Sequence, residues 1–188
     1  MDPPLSISVN LSCRQFLQLD LVDQVERVLL DSGLDPRCMK MEITESAIME
    51  QVESATSALS QLKSLGIKLS MDDFGKGYSS LSYLHQFPFD TLKIDRSFIG
   101  CIGESGEHTE IVRTIVSLAK ILGLDVVAEG VETESQLFQL TDLGCHYGQG
   151  YSFSRPLSAE AAGALLQDPP RWFESSIRDV PFNDLVRR

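Results

Sequence analysis

The sequence predicts an α/β fold, an incomplete parallel (β/α) barrel with about six of the eight strands that close such a barrel. Short apolar runs alternate with longer amphipathic runs along the chain, which is typical of successive βα units. No glycine-rich dinucleotide-binding turn follows the first strand, which favours a barrel over a doubly wound sheet. A parallel sheet covered by helices is therefore the predicted architecture.

The individual elements follow from the same patterns. The apolar runs predict six strands, at 7–11, 39–44, 67–71, 89–94, 126–128 and 147–153. Besides a short helix that ends near residue 85, the amphipathic runs predict helices at 21–30, 50–65, 110–122, 133–143 and 158–166. In the first helix Val22, Val25 and Leu29 share one face, and Gly33 is the expected C-terminal cap. Thr133 is an expected N-terminal cap.

Composition bounds the class of protein. With 188 residues and 43% hydrophobic content, the chain is large enough for one domain with its own core. The net charge of -11 argues against binding to DNA or to a membrane surface, because phosphate backbones and anionic lipids repel an acidic protein. A small phosphate ligand stays compatible with this charge if bound cations supply positive charge locally. We interpret residues 1–167 as the domain and residues 168–188 as a C-terminal tail.

Cysteine usage and hydropathy predict the compartment. The four cysteines form no CxxC pair, so reduced thiols are expected rather than disulfides or a zinc site. No apolar run approaches the roughly 18 residues of a membrane span, and the N-terminus lacks the basic and apolar regions of a signal peptide. We therefore expect a soluble intracellular domain, or a piece of one.

Polar side chains gather at the predicted strand ends. In a parallel barrel the carboxyl ends of the strands converge on one face, where active sites are built. Seven carboxylates would share this face and would repel one another unless cations held them together. Oxygen ligands without sulfur favour Mg²⁺, Mn²⁺ or Ca²⁺ over zinc. The residues at this face are Asn10, Glu42, Glu45, Asp72, Asp73, Lys93, Asp95, Glu129, Glu132 and Gln149.

Each of these residues also has a structural explanation when taken alone. An acidic residue after a strand more often caps a helix or joins a salt bridge than binds a metal. Lys93 could be a counter-ion of Asp95, and Gln149 a hydrogen-bonded core residue. Such explanations would have to hold independently at every strand, so the set as a whole favours a functional site.

A glycine-containing loop follows the third strand directly. Phe74, Gly75, Gly77 and Ser79 lie in it, after the carboxylate pair. Such a loop is able to hold a phosphate or to close over a site. As a phosphate-binding motif it is weak, because it lacks the GK[ST] ending of a P-loop.

Six ordered motifs carry a resemblance to a known family. They are VNLS at 9–12, MEITES at 41–46, MDDFGKGYSSL at 71–81, LKIDRSFI at 92–99, VAEGVET at 127–133 and QGYSFSRP at 149–156. Together they resemble the EAL domain of bacterial cyclic di-GMP phosphodiesterases. The resemblance implies a TIM-like barrel of the EAL type, in the bacterial cytoplasm or in the cytoplasmic part of a longer, membrane-anchored protein.

The resemblance implies a role for each residue of the site. Two ions, Mg²⁺ or Mn²⁺, are implied: Asn10, Glu42 and Asp72 resemble ligands of the first, and Asp72, Asp73 and Glu129 ligands of the second. Lys93 is similar to the lysine near the attacking water, Gln149 to a water-positioning residue and Glu132 to a water-orienting acid. Glu45 resembles the glutamate that anchors the loop after Asp73. Asp95 belongs, with the loop residues, to the implied substrate-binding group.

Activity and partners are implied in the same way. The family hydrolyses cyclic di-GMP to linear pGpG with two metal ions. The loop and short helix after Asp73 resemble the family's homodimer contact, and a diguanylate cyclase-like or sensor domain upstream is common among relatives. At Lys76 the commoner family residue is threonine, and a slight effect is expected from this difference.

One departure from the family pattern separates three hypotheses. No Glu-Ala-Leu motif precedes Asn10, so the first two strands and one metal ligand are expected to be absent from this chain, weakening the first metal. The chain is then a piece of a phosphodiesterase with little or no activity by itself. Alternatively it is a non-catalytic module that binds cyclic di-GMP or a partner, or a fragment whose open strand edges pair with another chain.

Overall fold

The computed structural model describes residues 5–50, 52–76, 84–103, 106–145 and 147–167. Six parallel strands form one sheet whose spatial order is the order of the chain. The sheet curls into a half-barrel with flanking helices, so the predicted fold class is confirmed. The strands are β1 (Ile7–Leu11), β2 (Met39–Thr44), β3 (Lys68–Phe74), β4 (Thr91–Ile94), β5 (Asp125–Glu129) and β6 (Tyr147–Gln149).

Helices connect the strands and cover one face of the sheet. Besides a single 3₁₀ turn at Pro36–Cys38, eight α-helices lie in the described ranges. They are α1 (Cys13–Phe16), α2 (Leu21–Ser32), α3 (Glu45–Met49), α4 (Val52–Ser64), α5 (Arg96–Gly100), α6 (Gly106–Leu122), α7 (Glu134–Asp142) and α8 (Ala159–Gln167).

The two faces of the strands differ in chemistry, and this difference positions the site. Successive side chains of a strand point to opposite faces. In β4, Leu92 and Ile94 are fully buried and join the hydrophobic core beneath the helices. Thr91 and Lys93 lie on the other face, inside the curl of the sheet, and the alternation continues to Asp95. The concave face of β4 is therefore polar, and Lys93 and Asp95 lie at the carboxyl end of this strand.

Several element ends differ from the predictions. The predicted third strand stops at residue 71, whereas β3 continues to Phe74, because the chain resumes pairing with β4 after an irregularity between Met71 and Phe74. The predicted sixth strand reaches residue 153, whereas β6 ends at Gln149 because the chain turns back there. The Ser152 N–H donates to the Val131 carbonyl, and the Phe153 N–H to that of Gly150. At β4 the predicted start of 89 is wrong by two residues.

Caps confirm the predicted helix ends. Gly33 ends α2 in the left-handed conformation at φ 65°, where its N–H donates to the Leu29 carbonyl. Thr133 begins α7 with a capping box, in which its hydroxyl accepts from the Gln136 N–H and the Gln136 side chain accepts from the Thr133 N–H.

Some predictions concern residues that the structure does not describe. Gly77, Ser79 and most of the short helix predicted to end near residue 85 fall in the range 77–83, and the predicted tail is 168–188. Among the described residues, no helix is both long and apolar enough to cross a membrane.

Candidate metal and active site

The carboxyl ends of the six neighbouring strands bring the predicted residues to one edge of the sheet. Asn10 of β1 lies in register with Glu42 of β2. Glu129 of β5 lies in register with Gln149 of β6. The residues between them come from β3 and β4 and from the turns after these strands. The predicted convergence of strand ends thus has a structural basis in the parallel register.

Lys93 lies at the centre of this edge and is 4% exposed. Its ammonium group contacts three carboxylates: it donates to Glu42, lies 2.6 Å from Glu129 Oε1 and lies 3.2 Å from Asp72 Oδ1. Burial by itself lowers the pKa of Lys93, but the hydrogen bonds to Glu129 and Glu42 more than offset it, so the pKa lies above its usual value. Lys93 is therefore a permanent cation, and its ion pairs are with these three residues rather than with Asp95.

The carboxylate of Glu129 is partly shielded from water, and Lys93 offsets the effect of this burial only in part. Burial raises its pKa, and the hydrogen bond from Lys93 lowers it only in part. The negative charges of Asp72 and Glu42 add to the rise. A second cation near Glu129 would therefore stabilise its ionised form.

Asp73 adopts an unusual backbone conformation that explains how two adjacent aspartates serve one site. It has a φ of 56°, and its N–H donates to Asp72 Oδ1 at 3.0 Å. In a regular strand two successive side chains would point to opposite faces. The irregularity at this position allows Asp72 to contact Lys93 while Asp73 also faces the site.

Three carboxylates form a group that fits a metal ion. Asp73, Asp95 and Glu129 each offer one oxygen, and these oxygens all lie within 4.8 Å of one another. The resemblance implies Asp72, Asp73 and Glu129 as the ligands of the second ion, whereas this group has Asp95 instead of Asp72. An all-oxygen set of this kind suits Mg²⁺ or Mn²⁺ rather than zinc. The donor chemistry of the site therefore fits a divalent cation.

Asp95 also has a structural role at the end of β4. It is 2% exposed and begins α5, where its carboxylate accepts from the N–H and the hydroxyl of Ser97. Burial alone would raise the pKa of Asp95, but the hydrogen bonds from Lys76 and Ser97 hold it well below its usual value. The carboxylate is thus ionised and fixed in orientation.

The turn after β3 is tied to α3. Glu45 is 1% exposed, and its Oε2 accepts from the Gly75 N–H at 3.0 Å, the contact that its predicted anchoring role requires. Gly75 has a φ of 100°, and a Cβ at this position would lie 2.7 Å from Phe98 Cε2. Phe74 packs in the core beside them. Only glycine therefore fits this close approach without a shift of Phe98.

Three predicted residues lie at the exposed margin of the site. Asn10 and Gln149 are exposed on the two edge strands of the described sheet. Glu132 is exposed too, and its backbone N–H donates to Gln136. The water-positioning roles predicted for Gln149 and Glu132 thus stay predictions.

Sequence reasoning missed the role of Lys76. Its ammonium group lies 2.7 Å from Asp73 Oδ1 and 2.8 Å from Asp95 Oδ2. The slight effect expected for a lysine at this position stays a prediction, but the side chain pairs with two of the three grouped carboxylates, a contact that was not expected. Lys76 lies between Gly75 and Gly77, three positions after Asp73, and this spacing gives no signal for a contact with Asp95, 19 positions further along the chain.

Charge at the site favours cation binding. Five carboxylates (Glu42, Asp72, Asp73, Asp95 and Glu129) contact or adjoin two ammonium groups, Lys76 and Lys93. When all five are ionised, five negative charges against two positive ones leave a formal excess of three. Such an excess at close range is unfavourable unless further cations bind.

Comparison with known proteins places the chain in a family. The family model described as EAL domain matches residues 1–156. The bifunctional diguanylate cyclase/cyclic di-GMP phosphodiesterase MucR of Pseudomonas aeruginosa is 46% identical over 155 residues, which are 82% of this chain and 23% of MucR. The cyclic di-GMP phosphodiesterase NbdA of the same bacterium is 44% identical over 163 residues, 87% of this chain and 21% of NbdA. The chain thus spans less than a quarter of the length of these two relatives.

Solved structures agree with this placement. The MucR phosphodiesterase in complex with cyclic di-GMP has a TM-score of 0.81 at 45% identity, covering 84% of this chain and 64% of that chain. Klebsiella pneumoniae BlrP1, solved with manganese and cyclic di-GMP, has a TM-score of 0.75 at 36% identity, covering 80% of this chain and 39% of that chain. With its six motifs, its half-barrel and a family match over 156 of 188 residues, the chain belongs to the EAL domain family.

Proposed function

We propose that the intact protein to which this chain contributes hydrolyses cyclic di-GMP to linear pGpG with divalent metal ions as cofactors. The observation that carries the proposal is the grouping of Asp73, Asp95 and Glu129, whose oxygens lie within 4.8 Å of one another, beside the buried Lys93. MucR and BlrP1, both similar to this chain, were solved in complexes with cyclic di-GMP, which supports the choice of substrate.

Magnesium or manganese is the proposed cofactor. Asn10, Glu42 and Asp72 are the proposed ligands of one ion, and Asp72, Asp73 and Glu129 those of a second, which Asp95 adjoins. When bound, such ions lower the pKa of water and stabilise the charge that develops on a phosphoryl group. The BlrP1 complex with manganese supports a divalent cation in a domain of this fold.

Lys93 is proposed to act beside the attacking water. Its position is fixed by carboxylates from β2, β3 and β5, so its charge is held at the site before substrate binds. A fixed cation favours hydroxide over water at its side and needs no rearrangement during the reaction. Gln149 and Glu132 are proposed to orient water from the margin of the site.

The turn that Glu45 holds is proposed to bind substrate and to support a homodimer. The hydrogen bond from the Gly75 N–H to Glu45 fixes where this turn leaves β3. Glu45 thereby couples the substrate loop to α3. A diguanylate cyclase-like or sensor domain upstream is the proposed regulatory partner, since MucR combines both activities by name.

For the 188-residue chain by itself we expect little or no hydrolysis. The strand that carries the Glu-Ala-Leu motif of the family is not among its residues. Loss of that glutamate would weaken the first metal, and Asn10 on the adjacent edge strand β1 is exposed. The alternative function is a non-catalytic module that binds cyclic di-GMP or a partner, which the same two observations favour.

Hydrolysis of cyclic di-GMP by the intact protein tests the proposal. With Mg²⁺ or Mn²⁺, chromatography of the products should show pGpG, and Asp72→Asn or Glu129→Ala should abolish it while circular dichroism shows a kept fold. Unchanged turnover in either variant would contradict the assigned site. Binding of cyclic di-GMP without turnover by the intact protein would favour the non-catalytic alternative.

A further inference from the structure

Lys76 places a positive charge inside the group of carboxylates that fits a metal ion. Its Nζ lies 2.7 Å from Asp73 Oδ1 and 2.8 Å from Asp95 Oδ2, so it bridges two of the three residues. Both distances are those of charge-assisted hydrogen bonds. An ammonium group in this position therefore contacts two of the three carboxylates that would hold a metal ion at the group.

The local backbone brings Lys76 to this position. Asp73 has a φ of 56° and Gly75 a φ of 100°, so the chain reverses tightly after β3. The Lys76 N–H donates to the Asp73 carbonyl at 3.3 Å within this turn. The side chain therefore returns over the residues that precede it and reaches Asp95, which is 19 positions further along the chain.

Lys76 differs from Lys93 in how firmly it is held. The Lys93 side chain is 5% exposed and contacts three carboxylates, whereas the Lys76 side chain is 49% exposed. Its partner Asp73 is also exposed, so that pair contributes little to stability, and a lysine stem has several rotatable bonds. Its partner Asp95 is buried, so the Lys76 ammonium is able to leave when a metal ion replaces it as the counter-ion of Asp95, whereas Lys93 is itself buried among three carboxylates.

We propose that Lys76 is a tethered cation that occupies the Asp73 and Asp95 side of the carboxylate group and lowers its affinity for a divalent metal ion. The ion binds by displacing the ammonium group into solvent. Lys76 thereby sets the metal concentration at which the site fills. This inference rests on the proposed metal site and adds to it a residue that competes with the metal.

Titration with Mn²⁺ tests the competition directly, with free Mn²⁺ measured by electron paramagnetic resonance in the 188-residue chain. Lys76→Met and Lys76→Thr should bind Mn²⁺ about tenfold more tightly than the unchanged chain, because one like charge at contact distance is removed. Lys76→Arg keeps the charge and should show no gain. Lys120→Met is the matched control, since it removes the same charge from an exposed position at the far end of α6.

The outcomes separate this proposal from the metal site on which it rests. Equal or weaker Mn²⁺ affinity in both neutral variants at position 76 would overturn the role of Lys76 while leaving the site in place. A gain in Lys120→Met as large as in Lys76→Met would overturn it too, because net charge alone would then explain the effect. Failure of every variant to bind Mn²⁺ would overturn both the metal site and the competition.

Discussion

The Nζ of Lys93 lies 2.6 Å from Oε1 of Glu129, and the lysine side chain is only 5% exposed. This pair joins two neighbouring strands at the carboxyl end of the half-barrel. The same ammonium group also contacts Glu42 and Asp72. Lys93 is therefore the structural centre of a cluster in which negative charge exceeds positive charge.

Replacement of Lys93 by methionine should destabilise the fold. It would leave Glu42 and Glu129 without their buried counter-ion, which costs about 3 kcal/mol of unfolding free energy. Denaturant unfolding in the presence of EDTA measures the loss. Millimolar Mn²⁺ should reduce it, because a bound cation replaces part of the missing charge. An equal loss with and without Mn²⁺ would contradict this account of the cluster.

We expect helix capping by Asp95 to contribute to stability separately from its negative charge. Asp95→Ala removes the acceptor for the Ser97 N–H and should lower the unfolding free energy by about 2 kcal/mol. Asp95→Asn keeps an oxygen at the N-cap and should lose less. Thermal unfolding of the two variants decides the point, and equal losses would show that charge rather than capping is what the fold requires.

Lys40 gives a prediction about pH. Its Nζ donates to Thr91 Oγ1 at 3.0 Å on the concave face, and burial lowers its pKa despite the attraction of Asp125. The folded chain thus binds this proton less tightly than the unfolded chain does. The resulting penalty is present at neutral pH and is relieved as the pH rises toward the ordinary lysine value of about 10.4.

Lys40→Met should therefore stabilise the chain at neutral pH. We expect a gain of about 1 kcal/mol in unfolding free energy, because an apolar side chain replaces a partly buried charge. The gain should shrink as the pH approaches 10, since the unchanged chain then sheds its proton. Denaturant unfolding at pH 7 and pH 9.5 measures the gain and its decrease with pH, with Lys120→Met as the exposed control. A loss of stability at pH 7 would contradict the expectation.

The strands and the longer helices could be predicted from the sequence, because their hydrophobic patterns are long enough to recognise. The bounds of β1 and β2 were predicted to the residue, because apolar runs there end at polar caps. The helices α1, α3 and α5 were missed, since four or five residues form one turn and show no full hydrophobic period. Their signals are caps, such as the capping box of Ser12 with Gln15.

Only the site residues that lie in the strands or at their ends could be predicted from the sequence. Parallel register brings Glu42, Lys93 and Glu129 together, and the position of each could be read from its strand. The positive φ of Asp73 could not be, because aspartate adopts it only when the surrounding turn requires it. The contact of Lys76 with Asp95 depends on that turn, so the spacing of these residues in the sequence could not predict it.

Anomalous diffraction from a crystal of the 188-residue chain soaked in Mn²⁺ tests directly whether a divalent cation binds at the carboxylate group. We expect a manganese peak between the carboxylates of Asp73, Asp95 and Glu129, with Lys76 turned away into solvent. A well-ordered crystal with no peak at this position, or with the Lys76 ion pairs unchanged beside a metal bound elsewhere, would contradict it.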